Sequence, residues 1–158
     1  MSEPVASAST IIRRPSSEVF DAFVTPEKLT QFWLTRASGP LAKDARVEWH
    51  FMVPGAIASV AVTAFEPPRH LAFDWPGMHV EMRFDHYDQN GHGHGNGDAA
   101  ATRVAVHVTG FAGDDAVEQA VGTTEGFTTV LCDLKTLLES GRSAGLVRDK
   151  AALIMSSS

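Results

Sequence analysis

The amino-acid sequence predicts an α+β fold in which a curved antiparallel sheet of about six strands surrounds one long C-terminal α-helix. Two observations support this prediction. Between residues 45 and 111, apolar and polar residues alternate in five successive runs, as they do in strands with one buried face. From Asp114 to Ser140 the chain has no proline and carries an apolar stripe at helical spacing. This helix is the one predicted element long enough to cover the sheet.

One strand and two short helices precede the alternating region. Residues 6–13 are small and β-branched, which favours a strand. Ser16 or Ser17 is expected to cap a first helix, because a serine hydroxyl can accept a hydrogen bond from a free backbone N–H. Thr25 is expected to cap a second helix, with Pro26 at its first position. Both helices have apolar residues at helical spacing: Val19, Phe20 and Phe23 in the first, and Leu29, Phe32 and Trp33 in the second.

Five strands are predicted next, separated by turns that contain proline and glycine. Their ranges are 45–52, 56–65, 71–75, 80–85 and 102–111. The alternation assigns the larger apolar side chains to one face, which we call the inner face, and the charged ones to the outer face. The outer face is predicted to carry His50, Glu81, Arg83, Arg103 and His107.

The long predicted helix has one strongly apolar face. Gly141 follows it and fits a C-terminal cap. Gly122 and Gly126 lie inside the helix, where each glycine costs about 1 kcal/mol of helix stability relative to alanine. They therefore indicate either a kink in the helix or a neighbouring group that approaches its backbone closely. Residues 146–155 could add a weak helical tail. The apolar stripe consists of Phe127, Leu131, Leu134 and Leu138.

Composition excludes several functional classes. The chain has 158 residues, and 13 basic against 19 acidic residues give 13 − 19 = −6, which provides no basic footprint for nucleic acid. No apolar run approaches the length of a membrane span, and residues 1–10 do not follow the plan of a signal peptide. Cys132 is alone, so neither a disulfide nor a cysteine-based zinc site is expected. We therefore expect one cytoplasmic domain over residues 1–158, with 1–5 and 156–158 as frayed tails.

Four segments carry a family resemblance. They are PSSEVFDAFVTPEKLTQFW (15–33), VTAFEPPRHLAFDW (62–75), TRVAVHVTGF (102–111) and TEGFTTVLCDLKTLLESG (124–141). These segments resemble the START-like helix-grip fold of the SRPBCC superfamily, in the branch named for the C-terminal domain of the heat-shock-protein-90 ATPase activator. That superfamily includes lipid carriers, hormone receptors, polyketide cyclases and many uncharacterised bacterial proteins. The resemblance implies a domain with a ligand cavity between the sheet and the helix, without specifying one activity.

Three functional hypotheses follow. The first is binding of a hydrophobic or amphipathic small molecule, lipid-like or polyketide-like, in that cavity. The second is an enzyme resembling a polyketide cyclase or a hydrolase, which would need His79, Glu81 or Asp74 to point inward. The third is a protein-interaction module, either a chaperone partner or a homodimer. In eukaryotic activators the homologous domain follows a separate N-terminal domain that makes much of the chaperone contact.

The candidate cavity residues are mainly the aromatic residues of the predicted inner face. Taken singly, each fits an ordinary core position better, but as a set they would line a pocket in this fold. His79 is included because it begins its strand and its facing is uncertain. No catalytic residue is assigned. The candidates are Trp33, Trp49, Phe51, Phe73, Trp75, His79, Met82, Phe84, Phe127 and Leu131.

A glycine-rich loop over residues 88–100 contains the pair His92 and His94, with Asp88 and Asp98 nearby. Two imidazoles in such a loop can chelate a divalent ion, but the loop is not preorganised and no third ligand has a set spacing. We therefore expect a hairpin connection, and we assign neither a metal nor a cofactor.

Overall fold

The computed structural model describes residues 3–88 and 100–156, and in that part of the chain the predicted order of elements is confirmed. A long C-terminal helix packs against a curved antiparallel sheet, which is the predicted α+β helix-grip architecture. The strands are β1 (Ala6–Ile12), β2 (Leu34–Ala37), β3 (Arg46–Phe51), β4 (Ile57–Glu66), β5 (His70–Trp75), β6 (Met78–His86) and β7 (Thr102–Thr109). The helices are α1 (Ser16–Val24), α2 (Pro26–Phe32), α3 (Ala116–Ser140) and α4 (Leu146–Ser156).

The described strands form one sheet in the order β1-β7-β6-β5-β4-β3-β2, with every neighbouring pair antiparallel. The register places inner-face residues beside one another: Val80 lies between Phe73 and Val108 on the two flanking strands. All three are fully buried. The two-residue period of the strands therefore directs these side chains into the core, as the alternation predicts.

Strand β2 is an addition to the predicted set of strands. It has only four residues, LTRA, which are too few to show alternation. It forms because its backbone pairs with β3, with Leu34 opposite Phe51 and Ala37 opposite Trp49. This pairing brings the end of α2, including Trp33, close to the edge of the inner face.

The predicted N-cap is confirmed at α2, where it is Thr25, but it is wrong at α1. The N-cap of α1 is Pro15, without a side-chain hydrogen bond. The hydroxyl of Ser16 instead lies 3.1 Å from that of Thr102 on β7. Thr25 is the N-cap of α2, but its hydroxyl donates to Asp21 at 2.8 Å rather than to its own helix. The tertiary fold offers Ser16 a partner on β7, whereas Thr25 finds its partner four residues earlier, on α1.

Helix α3 packs against β1, β7 and α2. Its C-terminal cap is confirmed: Gly141 adopts φ 85° and donates its N–H to the carbonyl of Leu137 at 2.8 Å. Glycine reaches this left-handed conformation without the steric cost of a side chain. The chain then reverses, and α4 packs against α3 and α2.

The predicted weak tail is a helix of 11 residues, and a buried carboxylate holds its first turn. Asp133 on α3 is only 1% exposed. It accepts hydrogen bonds from the hydroxyl of Ser143 at 2.6 Å and from the backbone N–H of Val147 at 3.2 Å. An acidic group at a helix N-terminus satisfies free N–H groups there and interacts favourably with the helix dipole. Asp133 therefore anchors α4 to α3. Of the helices that the structure describes, none is both long and apolar enough to cross a membrane.

Candidate functional site

An apolar cavity of about 240 Å³ lies where α3 and α4 meet the ends of β3 and β5. Four aromatic rings line it, from β3, β5, α3 and the end of α2, and most of the other lining residues of α3 and α4 are small or aliphatic. The segment that follows β3 adds one edge of the cavity. The lining residues are Trp33, Phe51, Met52, Val53, Trp75, Thr123, Gly126, Phe127, Thr129, Val130, Val147, Lys150, Ala151 and Ile154.

Four aromatic rings pack against one another and hold the wall in place. Phe127 of α3 stacks on Trp75 with ring centroids 5.8 Å apart and an angle of 29° between the ring planes. It also meets the edge of Trp33 at 5.7 Å, and Phe51 lies 5.8 Å from Trp75. Offset and edge-to-face pairs at these distances are favourable arrangements for aromatic rings. The wall is thus supported by its own contacts and does not depend on a ligand.

Space remains in the cavity because α3 presents a small residue to it. A Cβ atom built on Gly126 would meet no atom within 4 Å outside its own neighbours. The predicted close approach at this glycine is therefore wrong, since the position faces open space. Gly122 is equally unobstructed one helical turn earlier, but it is exposed and lies outside the cavity wall.

Polar groups are few in this wall. Lys150 carries the one formal charge among the described lining residues, and its ammonium group pairs with Glu125 of α3. The hydroxyl of Thr129 donates to the carbonyl of Glu125 at 2.9 Å, within its own helix. The indole N–H of Trp75 is buried and has no hydrogen-bond partner among the described residues. No histidine or carboxylate belongs to the described part of the wall.

Four of the ten candidate cavity residues lie in the wall: Trp33, Phe51, Trp75 and Phe127. Five others are in the closed core, with exposures of 0% or 1%, and are absent from the cavity wall: Trp49, Phe73, Met82, Phe84 and Leu131. Alternation places a residue on the inner face, but it does not tell whether a neighbouring element covers it there. Contact between any of these side chains and a ligand stays a prediction.

His79 lies on the outer face, away from the cavity. Its Nδ1 is 2.6 Å from Asp74 and its Nε2 is 3.3 Å from Glu81. The hydrogen bond to Asp74 is the main cause of a raised pKa of the His79 imidazole, with Glu81 adding to it. The hydrogen bond from His79 in turn lowers the pKa of Glu81. This arrangement favours a charged ion-pair cluster and brings no acid or base to the cavity.

Other outer-face histidines have similar partners. The Nε2 of His50 lies 2.7 Å from Glu48, and the Nδ1 of His70 lies 3.0 Å from Glu66. Among the described residues, no group of three or more histidine, cysteine or acidic side chains could hold a metal ion. The pair His92 and His94 lies outside the described residues.

Sequence reasoning missed the contribution of α4 to the cavity. Val147, Ala151 and Ile154 recur at helical spacing and line the space together with Lys150. That spacing was visible in the sequence, but the side of the molecule to which the tail returns depends on the reversal after Gly141 and on the buried Asp133. Thr123, Gly126 and Val130 of α3 were missed because the cavity lies beside the most apolar stripe of the helix.

Comparison with solved structures supports the fold. The protein SSP2350 from Staphylococcus saprophyticus is 24% identical, with 88% of this chain and 94% of that chain covered at a TM-score of 0.74. The Aha1 dimer from Colwellia psychrerythraea is 14% identical, with 88% and 98% covered and a TM-score of 0.71. DynU16, a putative protein in the dynemicin biosynthetic locus, is 19% identical at a TM-score of 0.68, with 90% of this chain and 49% of that chain covered. This chain thus spans about half the length of DynU16.

No curated protein sequence is significantly similar to this chain. The family model for activator of Hsp90 ATPase homolog 1-like proteins matches residues 13–139. The match runs from the end of β1 almost to the end of α3 and therefore includes the aromatic wall of the cavity. The match ends before α4, so Lys150 and the other cavity residues of α4 lie outside the matched region. The chain belongs to the family of activator of Hsp90 ATPase homolog 1-like proteins, within the START-like helix-grip fold.

Proposed function

We propose that this protein binds a hydrophobic or amphipathic small molecule in the cavity between the sheet, α3 and α4. One observation carries the proposal: the protein's own side chains leave a space of about 240 Å³ beside four large aromatic rings that form part of its wall. Empty apolar space reduces packing and therefore stability, because its lining atoms lack partners on one side. A ligand that fills this space would restore those contacts and bury its own apolar surface.

The size of the cavity limits the ligand. An apolar cavity of ~150 Å³ can hold benzene. A space of about 240 Å³ therefore suits a somewhat larger ring system or a medium-length hydrocarbon chain. Lys150 contributes a partly exposed charged side chain to the wall, which favours a molecule with one polar end.

The enzyme alternative has less support from the geometry. General acid–base catalysis needs a titratable group within hydrogen-bond reach of the substrate. The candidates lie on the outer face, where His79 is within hydrogen-bond distance of both Asp74 and Glu81. The likeness to DynU16, at 19% identity, concerns the fold and brings no reaction to this chain.

Binding of 1-octanol tests the proposal, with a matched pair of glycine variants. Gly126→Leu should fill the cavity and lower the affinity for octanol by at least about tenfold, since the ligand would lose most of its contacts. Gly122→Leu should leave the affinity unchanged, because that position is exposed and outside the wall. Both variants remove a glycine from a helix interior, so both gain about 1 kcal/mol of helix propensity. Calorimetric titration measures the affinities, and equal binding by the two variants would disprove the cavity as the site.

A homodimer and a cytoplasmic location are further parts of the proposal. The relative from Colwellia psychrerythraea is a dimer. Val117 and Val121 of α3 are 67% and 63% exposed one helical turn apart, and such a pair could contribute to a contact between copies. The native mass of the octanol-saturated protein determines the oligomeric state, and cell fractionation determines the location.

A further inference from the structure

Lys150 occupies an unusual position for a charged residue. Its side chain belongs to a wall that is otherwise apolar or neutral over the described residues, and it is 38% exposed. A lysine in such a place packs its hydrocarbon stem along apolar surface and keeps its ammonium group near water. The ammonium group therefore marks the boundary between the cavity and solvent.

The present partner of Lys150 is easily replaced. Glu125 is 57% exposed and lies outside the cavity wall. Ion pairs between exposed side chains contribute little to stability and exchange readily with other ions. A second anion arriving from inside the cavity could thus take the place of Glu125 without leaving a buried charge unpaired.

We propose that the ligand is an amphipathic carboxylate whose head group pairs with Lys150, displacing Glu125, while its hydrocarbon part lies against Trp33, Trp75 and Phe127. This inference rests on the proposed function and specifies its ligand class. The apolar wall provides affinity for the hydrocarbon part, and the single cation selects the charge of the head group. A neutral or cationic head group of the same length gains nothing from Lys150.

The two members of the ion pair give opposite predictions, which separates recognition from structure. Lys150→Met keeps the apolar stem and removes the charge, so it should weaken binding of octanoate by about fivefold, the range for a half-exposed charge pair. Glu125→Gln removes the competing anion, so it should strengthen octanoate binding by about twofold to fivefold. Binding of 1-octanol should be unchanged in Glu125→Gln, because Glu125 lies outside the wall, and it should change less than octanoate binding in Lys150→Met, because octanol carries no charge.

Calorimetric titration of octanoate and 1-octanol at neutral pH measures these affinities on the full chain. Lys43→Met is the matched control, because Lys43 is an exposed residue between β2 and β3 and lies outside the cavity wall. It should leave both ligands unchanged. Thermal unfolding of each variant without ligand checks that the fold is retained.

The outcomes distinguish failure of the carboxylate inference from failure of the proposed function. Opposite effects of Lys150→Met and Glu125→Gln on octanoate, each larger than the effect of the same variant on octanol, support the inference. If octanol binds but both variants weaken octanoate alike, the ion pair serves only to hold α4, and the inference is wrong while the proposed function stands. If the unaltered protein binds neither octanol nor octanoate, both proposals fail.

Discussion

Two halves of the inner face use the same aromatic residue types with different results. In the first, which we call the closed half, Phe20 and Phe23 of α1 pack on Phe84 with ring centroids 5.1 and 5.9 Å apart, and all three are buried. In the second, the open half, Phe51 and Trp75 stand in the wall of the cavity and are only partly buried. Aromatic content alone therefore does not predict where a binding space forms.

The difference lies in what faces the sheet. In the closed half, α1 inserts two phenylalanines between the sheet and the rest of the molecule, so rings meet rings across the layer. In the open half, α3 contacts Trp75 through Phe127, but beside that ring α3 offers Gly126 and α4 offers Ala151, which are too small to fill the space. Binding space thus results from small residues on the covering helices rather than from a special feature of the sheet.

The largest expected effect on stability comes from replacing one phenylalanine by alanine in each half. Phe84→Ala should destabilise the protein by about 3–5 kcal/mol, because a fully buried phenylalanine leaves a cavity that its neighbours cannot fill. Phe51→Ala should cost less than half as much, since its ring already borders empty space on one side. Urea denaturation measures both free energies of unfolding. Equal losses would mean that the open half is as well packed as the closed half, and the comparison would break down.

A smaller loss of stability is expected at Asp133, which anchors α4 against the open half. Asp133→Ala should cost about 1–3 kcal/mol, because the Ser143 hydroxyl and the Val147 N–H lose their buried acceptor. Hydrogen exchange should speed up selectively over residues 146–156, and octanol affinity should fall with it. Asp133→Asn retains one acceptor oxygen and should lose less.

The control for this anchor is Asp21→Ala. That carboxylate is exposed and accepts one hydrogen bond, from Thr25. We expect a loss below about 0.5 kcal/mol there, as for most exposed substitutions. If exchange over α4 is unaffected by Asp133→Ala, then α4 is held by its apolar contacts and the carboxylate is not its anchor.

The smallest expected effect on stability concerns the ion-pair cluster of the outer face, which lies outside both halves of the inner face. The pKa of His79 is raised above its ordinary 6.5, mainly by Asp74, so its contribution to stability is complete below that pH and disappears as the pH rises through the raised value. The pKa of Glu81 is lowered from 4.5, so its contribution is present above that pH and disappears as the pH falls through the lowered value. The cluster therefore stabilises most between these two ordinary values.

We expect His79→Gln to destabilise the protein more at about pH 5.5 than at about pH 8.5, and by less than about 1 kcal/mol because the groups are exposed to screening solvent. Denaturation at the two pH values measures the difference. The affinity for octanol should be the same as in the unaltered protein at both. A loss of octanol binding in this variant would connect the outer face to the cavity and contradict the separation described above.

Much of the fold was predictable because its elements have local causes. Alternation in the strands and the stripe of Phe127, Leu131, Leu134 and Leu138 predicted the sheet and α3, and Gly141 predicted where that helix ends. The hydroxyl partners of Ser16 and Thr25 were less predictable, because a hydroxyl can bind several groups: Ser16 contacts Thr102 on β7, and Thr25 donates to Asp21 on the preceding helix. The short strand β2 had no local pattern at all, since its pairing with β3 determines it.

The sequence by itself determined which side chains turn inward, because the periods of strands and helices are properties of the local backbone. Only the tertiary structure decided which of those side chains border empty space. That outcome depends on how far covering elements reach: α1 fills one half of the inner face, whereas α3 and α4 leave the other open. The same packing brings Lys150 from a weakly patterned tail into the wall of an apolar cavity, because the reversal after Gly141 and the buried carboxylate of Asp133 together direct α4 back across it.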